Sequence, residues 1–71
     1  MTTRLYINGA EKVFEPGAIP ATLAALLEQM KIDQATVVAE IGGVIVPRAD
    51  FAATSLADGM TLELVRFVPG G

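Results

Sequence analysis

The most informative segment of this chain is 60–68, which has the sequence MTLELVRFV. Leu62 and Leu64 flank Glu63, which is the period-two pattern of a strand that buries one face. The pattern predicts a strand over 60–68 with both leucines pointing inward. Pro69 ends the strand, because proline cannot donate a backbone hydrogen bond to a neighbouring strand.

The beginning of the chain predicts a hairpin. Residues 3–7 (TRLYI) alternate, so that Leu5 and Ile7 share one face. The dipeptide at 8–9, Asn-Gly, is the strongest short hairpin signal, because both residues tolerate a positive φ. Residues 11–14 are interpreted as the returning strand, and the Asn-Gly pair as a structural turn.

The segment after the hairpin predicts one amphipathic helix. Leu23, Leu26, Leu27 and Met30 recur at the spacing of a single helical face. Pro20 suits the first helical turn, and we expect a helix of about eleven residues. The leucine stripe is interpreted as a core face that packs on a sheet, in preference to a surface that binds a partner.

Two further strands are predicted before the last one, over residues 36–41 and 44–46, joined by a tight turn at 42–43 (Gly-Gly). A helix between a hairpin and later strands must lie across one face of a mixed sheet. The expected fold class is therefore α+β, with four to five strands and one main helix. The last strand is expected beside the first, parallel to it and central, which is the β-grasp topology. Residues 1–68 would form this domain and residues 69–71 a flexible tail.

The composition leaves few residues that could carry out chemistry. The chain has 71 residues, with no cysteine and no histidine, which excludes disulfides, a thiolate nucleophile and a zinc–cysteine site. It also lacks the commonest general base. The carboxylates are scattered and are interpreted as solvated surface charge. We therefore expect a protein that is not an enzyme, with no catalytic residue, no metal site and no bound cofactor.

The charge pattern narrows the class of partner. The net charge is −3, and no two basic residues are adjacent, so a nucleic-acid partner is not expected. Mild acidity favours a partner with a basic docking surface. No signal peptide and no apolar run of membrane-spanning length are visible in the sequence. We expect a soluble cytoplasmic protein that does not bind a membrane.

The last two residues, Gly70 and Gly71, stand out because they directly follow a strong strand. A segment without side chains can thread a narrow channel into the active site of another protein. The carboxylate of Gly71 would be ionised at neutral pH and able to attack an activated phosphate. The alternative interpretation is a frayed end without chemistry.

Several stretches together resemble a known family: AEIGGVIVPR at 39–48, LADGMTLELVRFV at 56–68, Gly-Gly at 70–71, the hairpin at 8–9 and the helix at 23–30. They are similar to the ThiS-type sulfur carriers of thiamine biosynthesis, which are ubiquitin-like β-grasp proteins. The resemblance covers essentially the whole chain.

The resemblance implies a mechanism that uses partner enzymes. A ubiquitin-activating-like adenylyltransferase, which uses ATP, would convert the carboxylate of Gly71 to an acyl-adenylate. A sulfur donor, often a persulfide protein, would displace AMP and leave a thiocarboxylate, which donates sulfur to thiazole synthase. Val68, Pro69, Gly70 and Gly71 would enter the partner active site.

The docking surface expected near the tail consists of Val65, Arg66 and Phe67, because exposed apolar residues close to a functional end suggest an interface. In the alternative, Phe67 folds back onto the domain edge. Three rival functions stay open at this point. One is a related carrier for molybdopterin synthesis or another sulfur-transfer pathway, and another is a β-grasp interaction module without chemistry. The third is an enzyme that acts alone, which would require turnover by the isolated chain.

Overall fold

A computed structural model of the chain describes residues 2–68. Those residues form a sheet of five strands with one α-helix, and two short 3-10 helices lie at Gln34–Thr36 and Arg48–Ala53. The elements in chain order are β1 (Thr3–Ile7), β2 (Ala10–Phe14), α1 (Leu23–Gln29), β3 (Val37–Ile41), β4 (Val44–Val46) and β5 (Thr61–Arg66).

The sheet has the strand order β2-β1-β5-β3-β4, so the last strand is central. β5 runs parallel to β1, with Ile7 opposite Leu62, and antiparallel to β3, with Val37 opposite Arg66. The two hairpins, β1–β2 and β3–β4, are antiparallel and supply the outer strands. This arrangement confirms the predicted β-grasp topology and the α+β class.

The two hairpin turns follow the chemistry of their sequences. Asn8 and Gly9 have φ of 52° and 81°, and Gly42 and Gly43 have φ of 59° and 84°. Two successive positive φ values make the turn that matches the twist of antiparallel strands. Both predicted turns are therefore confirmed.

The core lies between α1 and one face of the sheet. Leu23, Leu26 and Leu27 from the helix are fully buried, as are Leu5 and Leu62 from the two central strands. Burying a leucine contributes about 1.5–3 kcal/mol, so this aliphatic contact is a main source of stability. The leucine stripe is a core face, as predicted.

The helix is shorter than predicted. It has seven residues and begins after Thr22, whose hydroxyl accepts a hydrogen bond from the backbone N–H of Ala25 at 3.2 Å. Pro20 thus lies before the cap and not in the first turn. The start is fixed by pairing with a distant segment, since Thr22 forms a bridge with Ser55, and Leu23 N–H donates to the carbonyl of Thr54.

β5 is also shorter than predicted, at Thr61–Arg66 instead of 60–68. Its partner β3 begins at Val37, because Thr36 belongs to a 3-10 helix. One backbone bond continues the ladder beyond the strand, from the N–H of Phe67 to the carbonyl of Thr36 at 2.8 Å.

Candidate functional site

β5 leads to the predicted tail, and its leucines are more deeply buried than the residues that follow it. Leu62 and Leu64 are buried against the core, with exposures of 0% and 5%. Val68, the last described residue, is 88% exposed. The chain therefore passes from the core to solvent within a few residues.

On one side, β5 is paired with β1 only in its first half. The N–H of Tyr6 donates to the carbonyl of Met60 at 3.0 Å, and the N–H of Asn8 donates to the carbonyl of Leu62 at 2.9 Å. The next backbone N–H and carbonyl on that side belong to Leu64, and the side chain of Asn8 binds both. Its Oδ1 accepts from the N–H of Leu64 at 2.7 Å, and its Nδ2 donates to the Leu64 carbonyl at 3.0 Å.

Asn8 therefore has a second role, which sequence reasoning missed. The Asn-Gly pattern indicated a turn, and the turn exists. The contact with Leu64 joins residues 56 positions apart. Only the sheet register shows it, because a local pattern holds no information on a partner so far along the chain.

The face of the sheet that points away from α1, called the open face below, carries an apolar group at the same end of β5. Val65 lies opposite Val38, with exposures of 57% and 40%. Phe67 follows two residues later and is 45% exposed. These three side chains form an exposed apolar patch beside the point where the described chain ends.

Arg66 does not belong to this patch. Successive side chains of a strand point to opposite faces. Arg66 stands opposite the buried Val37 and in line with Leu62 and Leu64, so it lies on the helix side of the sheet, where it is exposed. The expected docking set of Val65, Arg66 and Phe67 is thus divided between two faces.

Two carboxylates border the patch on the open face. Glu40 of β3 lies opposite Glu63 of β5, one pair along from Val38 and Val65. The only ion pair within residues 2–68 joins Arg4 to Glu11 at 3.2 Å, so neither Glu40 nor Glu63 has a basic partner there. The two carboxylates make this part of the open face acidic as well as apolar. Because like charges directly opposite each other repel, the pair also destabilises the sheet.

Of the predicted tail segment, the structure describes Val68 alone. Pro69, Gly70 and Gly71 lie outside the described residues. In the described part, residues 2–68, there is no cavity and no cluster of acidic residues with the composition of a metal site. The described part also holds no helix long and apolar enough to span a membrane.

Residues 5–71 match the model of one protein family, described as the ThiS family. The chain belongs to the ThiS family. Its fold agrees with a crystal structure of the thiamine biosynthesis protein ThiS from Geobacter metallireducens at a TM-score of 0.77 and 33% identity, over 96% of this chain and 99% of that one. A solution structure of a thiamine biosynthesis protein from the same organism gives a TM-score of 0.76 at 33% identity, over 96% of this chain and 87% of that one.

A longer relative is also similar to this ThiS-family chain. A thiazole synthase of Paramagnetospirillum magneticum is 37% identical over 68 residues, which are 96% of this chain and 20% of that protein. The chain therefore spans one fifth of the length of this curated relative.

The acidic pair on the open face gives a testable prediction for stability. Glu63→Gln removes the repulsion with Glu40 and keeps the size of the side chain, so the free energy of unfolding should rise by about 0.2–1 kcal/mol. Urea denaturation at low and high salt measures it, and the gain should shrink in 1 M NaCl because salt screens the repulsion.

The matched control for this measurement is Glu15→Gln, an exposed glutamate in the loop before α1. It makes the same change in net charge away from the pair. An equal gain in both variants would assign the effect to net charge and contradict the local repulsion.

Proposed function

We propose that this ThiS-family chain is a sulfur carrier for thiazole formation in thiamine biosynthesis, and that Gly71 carries the sulfur. The observation that carries the proposal is the family match, which extends over residues 5–71 and so includes Gly70 and Gly71. Members of the ThiS family are small sulfur carrier proteins without catalytic activity of their own.

The chemistry begins at the carboxylate of Gly71. In the active site of an adenylyltransferase, a carboxylate oxygen attacks the α-phosphate of ATP, pyrophosphate leaves, and an acyl-adenylate forms. The terminal sulfur of a persulfide protein then attacks the acyl carbon, and AMP leaves with its oxygen. A thiol reduces the resulting acyl disulfide and frees the thiocarboxylate, which donates its sulfur to thiazole synthase.

The composition of the chain suits a protein that is a co-substrate. The 71 residues include no cysteine, so no thiol of this chain competes with Gly71 for the persulfide. The catalytic groups and the ATP site would belong to the partners. What the domain itself contributes is a fixed strand, β5, immediately before the segment that reacts.

The apolar patch of Val38, Val65 and Phe67 is the docking surface that we propose for the adenylyltransferase. It lies at the end of β5 from which the tail continues, so a partner bound there would receive the tail directly. The Glu40–Glu63 pair beside it favours a partner surface that combines an apolar centre with basic residues at its rim. Arg66 would contact a different part of the partner, because it lies on the other face.

The longer relative supports thiazole synthase as the enzyme that receives the sulfur. That protein is named thiazole synthase and contains a region similar to nearly all of this chain. A domain that occurs within such a chain in one organism is expected to work with the same kind of enzyme as a separate chain. This favours thiazole formation over molybdopterin synthesis, and over an interaction module without chemistry.

The direct test is to incubate the chain with ATP and a ThiS-type adenylyltransferase, and then to add a persulfide donor and a reducing thiol. Intact-mass spectrometry should show the acyl-adenylate, and afterwards the exchange of one oxygen for sulfur at Gly71. A variant that lacks Gly71 is the control and should stay unmodified. An unmodified wild-type chain, with an adenylyltransferase that activates another ThiS protein, would contradict the carrier function.

The docking surface is tested by Val65→Ala, with Val13→Ala as its matched control. Val13 lies on the same open face and is similarly exposed (53%), but it is on the edge strand β2, away from the tail. Val65→Ala should raise the KM for the chain in adenylation about tenfold, because it removes two apolar carbons worth about 0.8 kcal/mol each. An equal effect of both variants would contradict a specific patch.

A further inference from the structure

β5 extends beyond the end of its neighbour β1, which leaves a gap in the sheet. The carbonyls of Met60 and Leu62 accept hydrogen bonds from β1, so the even-numbered backbone groups of β5 face that strand. Leu64 is the next in this series. β1 offers it no peptide group, because the chain turns back at Asn8 and Gly9, both with positive φ.

The side-chain amide of Asn8 fills the gap. Its carbonyl oxygen accepts from the N–H of Leu64 at 2.7 Å, and its NH₂ donates to the carbonyl of Leu64 at 3.0 Å. One amide group thus supplies the acceptor and the donor that the backbone of a longer β1 would have supplied from two residues. The parallel ladder between β1 and β5 continues by one step through a side chain.

Asparagine meets all the requirements of this position. The residue must adopt φ of 52° in a tight turn, which asparagine, aspartate and glycine tolerate best. It must also offer a donor and an acceptor on a short side chain. Glycine meets only the first requirement, and an ionised aspartate accepts but cannot donate.

We propose that Asn8 is a positioning residue for the tail, and that it sets the direction in which β5 delivers residues 68–71 to the activating enzyme. Glu63 and Val65 pair with β3 on one side of β5, and Asn8 binds Leu64 between them on the other side, so the strand cannot pivot about its pairing with β3. A tail that leaves the domain in a fixed direction loses less freedom when it enters a partner active site. This inference rests on the proposed carrier function.

The variants that test the proposal separate the role of Asn8 in the turn from its hydrogen bonds to Leu64, which are called the Asn8–Leu64 bridge below. Asn8→Gly keeps a residue that favours the turn and removes both bonds to Leu64. Asn8→Asp keeps the acceptor for the N–H of Leu64 and loses the donor. Thr22→Ala is the control for general destabilisation, because it removes the cap of α1 and leaves β1 and β5 intact.

The first measurement is amide hydrogen exchange of the free protein. In Asn8→Gly the N–H of Leu64 should exchange at least about tenfold faster than in wild type. The N–H groups of Glu63 and Val65 face β3 and serve as internal controls, whose exchange should not change. Equal acceleration of all three would indicate a general loss of stability and overturn the local role of the bridge.

The second measurement is steady-state adenylation by the activating enzyme. For Asn8→Gly we expect KM to rise about tenfold, equivalent to about 1.4 kcal/mol of binding, with kcat within about twofold of wild type. The KM of Asn8→Asp should lie between the values for wild type and Asn8→Gly. Thr22→Ala should keep the wild-type KM at a temperature where this variant is folded.

The outcomes distinguish this inference from the function on which it rests. If wild type is adenylated and Asn8→Gly has the same KM, or if Thr22→Ala raises KM as much, the positioning role is overturned and the carrier function stands. If wild type is not adenylated, the carrier function fails, and the positioning role fails with it.

Discussion

The parallel pairing of β1 with β5 determines the topology of this domain. It brings the beginning and the end of the chain together at the centre of the sheet, and it fixes which side chains of β5 enter the core. Leu62 belongs to the same buried core as the leucines of α1, and its register is shared with Ile7 of β1. The exit of the tail, the open face and the contact of Asn8 with Leu64 all follow from the same register.

The strand that carries the tail changes character along its length. At Leu62 it is held by neighbours on both sides and buried; at Leu64 a side chain replaces one neighbour; at Phe67 one backbone bond to Thr36 continues the pairing. Such a gradient suits a carrier, since the domain needs a stable core and a reactive end that a partner can reach. The exposed apolar patch lies where the strand leaves the core, so docking and delivery of the tail would occur together.

The sequence predicts those features that depend on local periodicity. The alternation around Leu62 and Leu64, the leucine stripe of α1 and the Gly-Gly turn are each visible within a few residues, and the structure contains all of them. The same alternation could have placed Arg66 on the opposite face from Val65, because a period of two assigns every position of a strand.

Other features require knowledge of what lies across the sheet. Local helical spacing could not give the start of α1, because Thr22 pairs with Ser55 on a segment far along the chain. The facing carboxylates of Glu40 and Glu63 depend on the register of β3 with β5. The contact of Asn8 with Leu64 depends on the point at which β1 ends, and no pattern around residue 8 contains it. Tertiary pairing determines all three.

The carrier function can be tested by following labelled sulfur through the chain to the product. A persulfide donor carrying radioactive sulfur is combined with the chain, ATP, the adenylyltransferase and a reducing thiol, and thiazole synthase with its other substrates is then added. If the chain is the carrier, the label first appears on the chain, only with ATP present, and then moves into the thiazole product. Label that reaches the product in the absence of the chain, or that never appears on the chain, would contradict the carrier function.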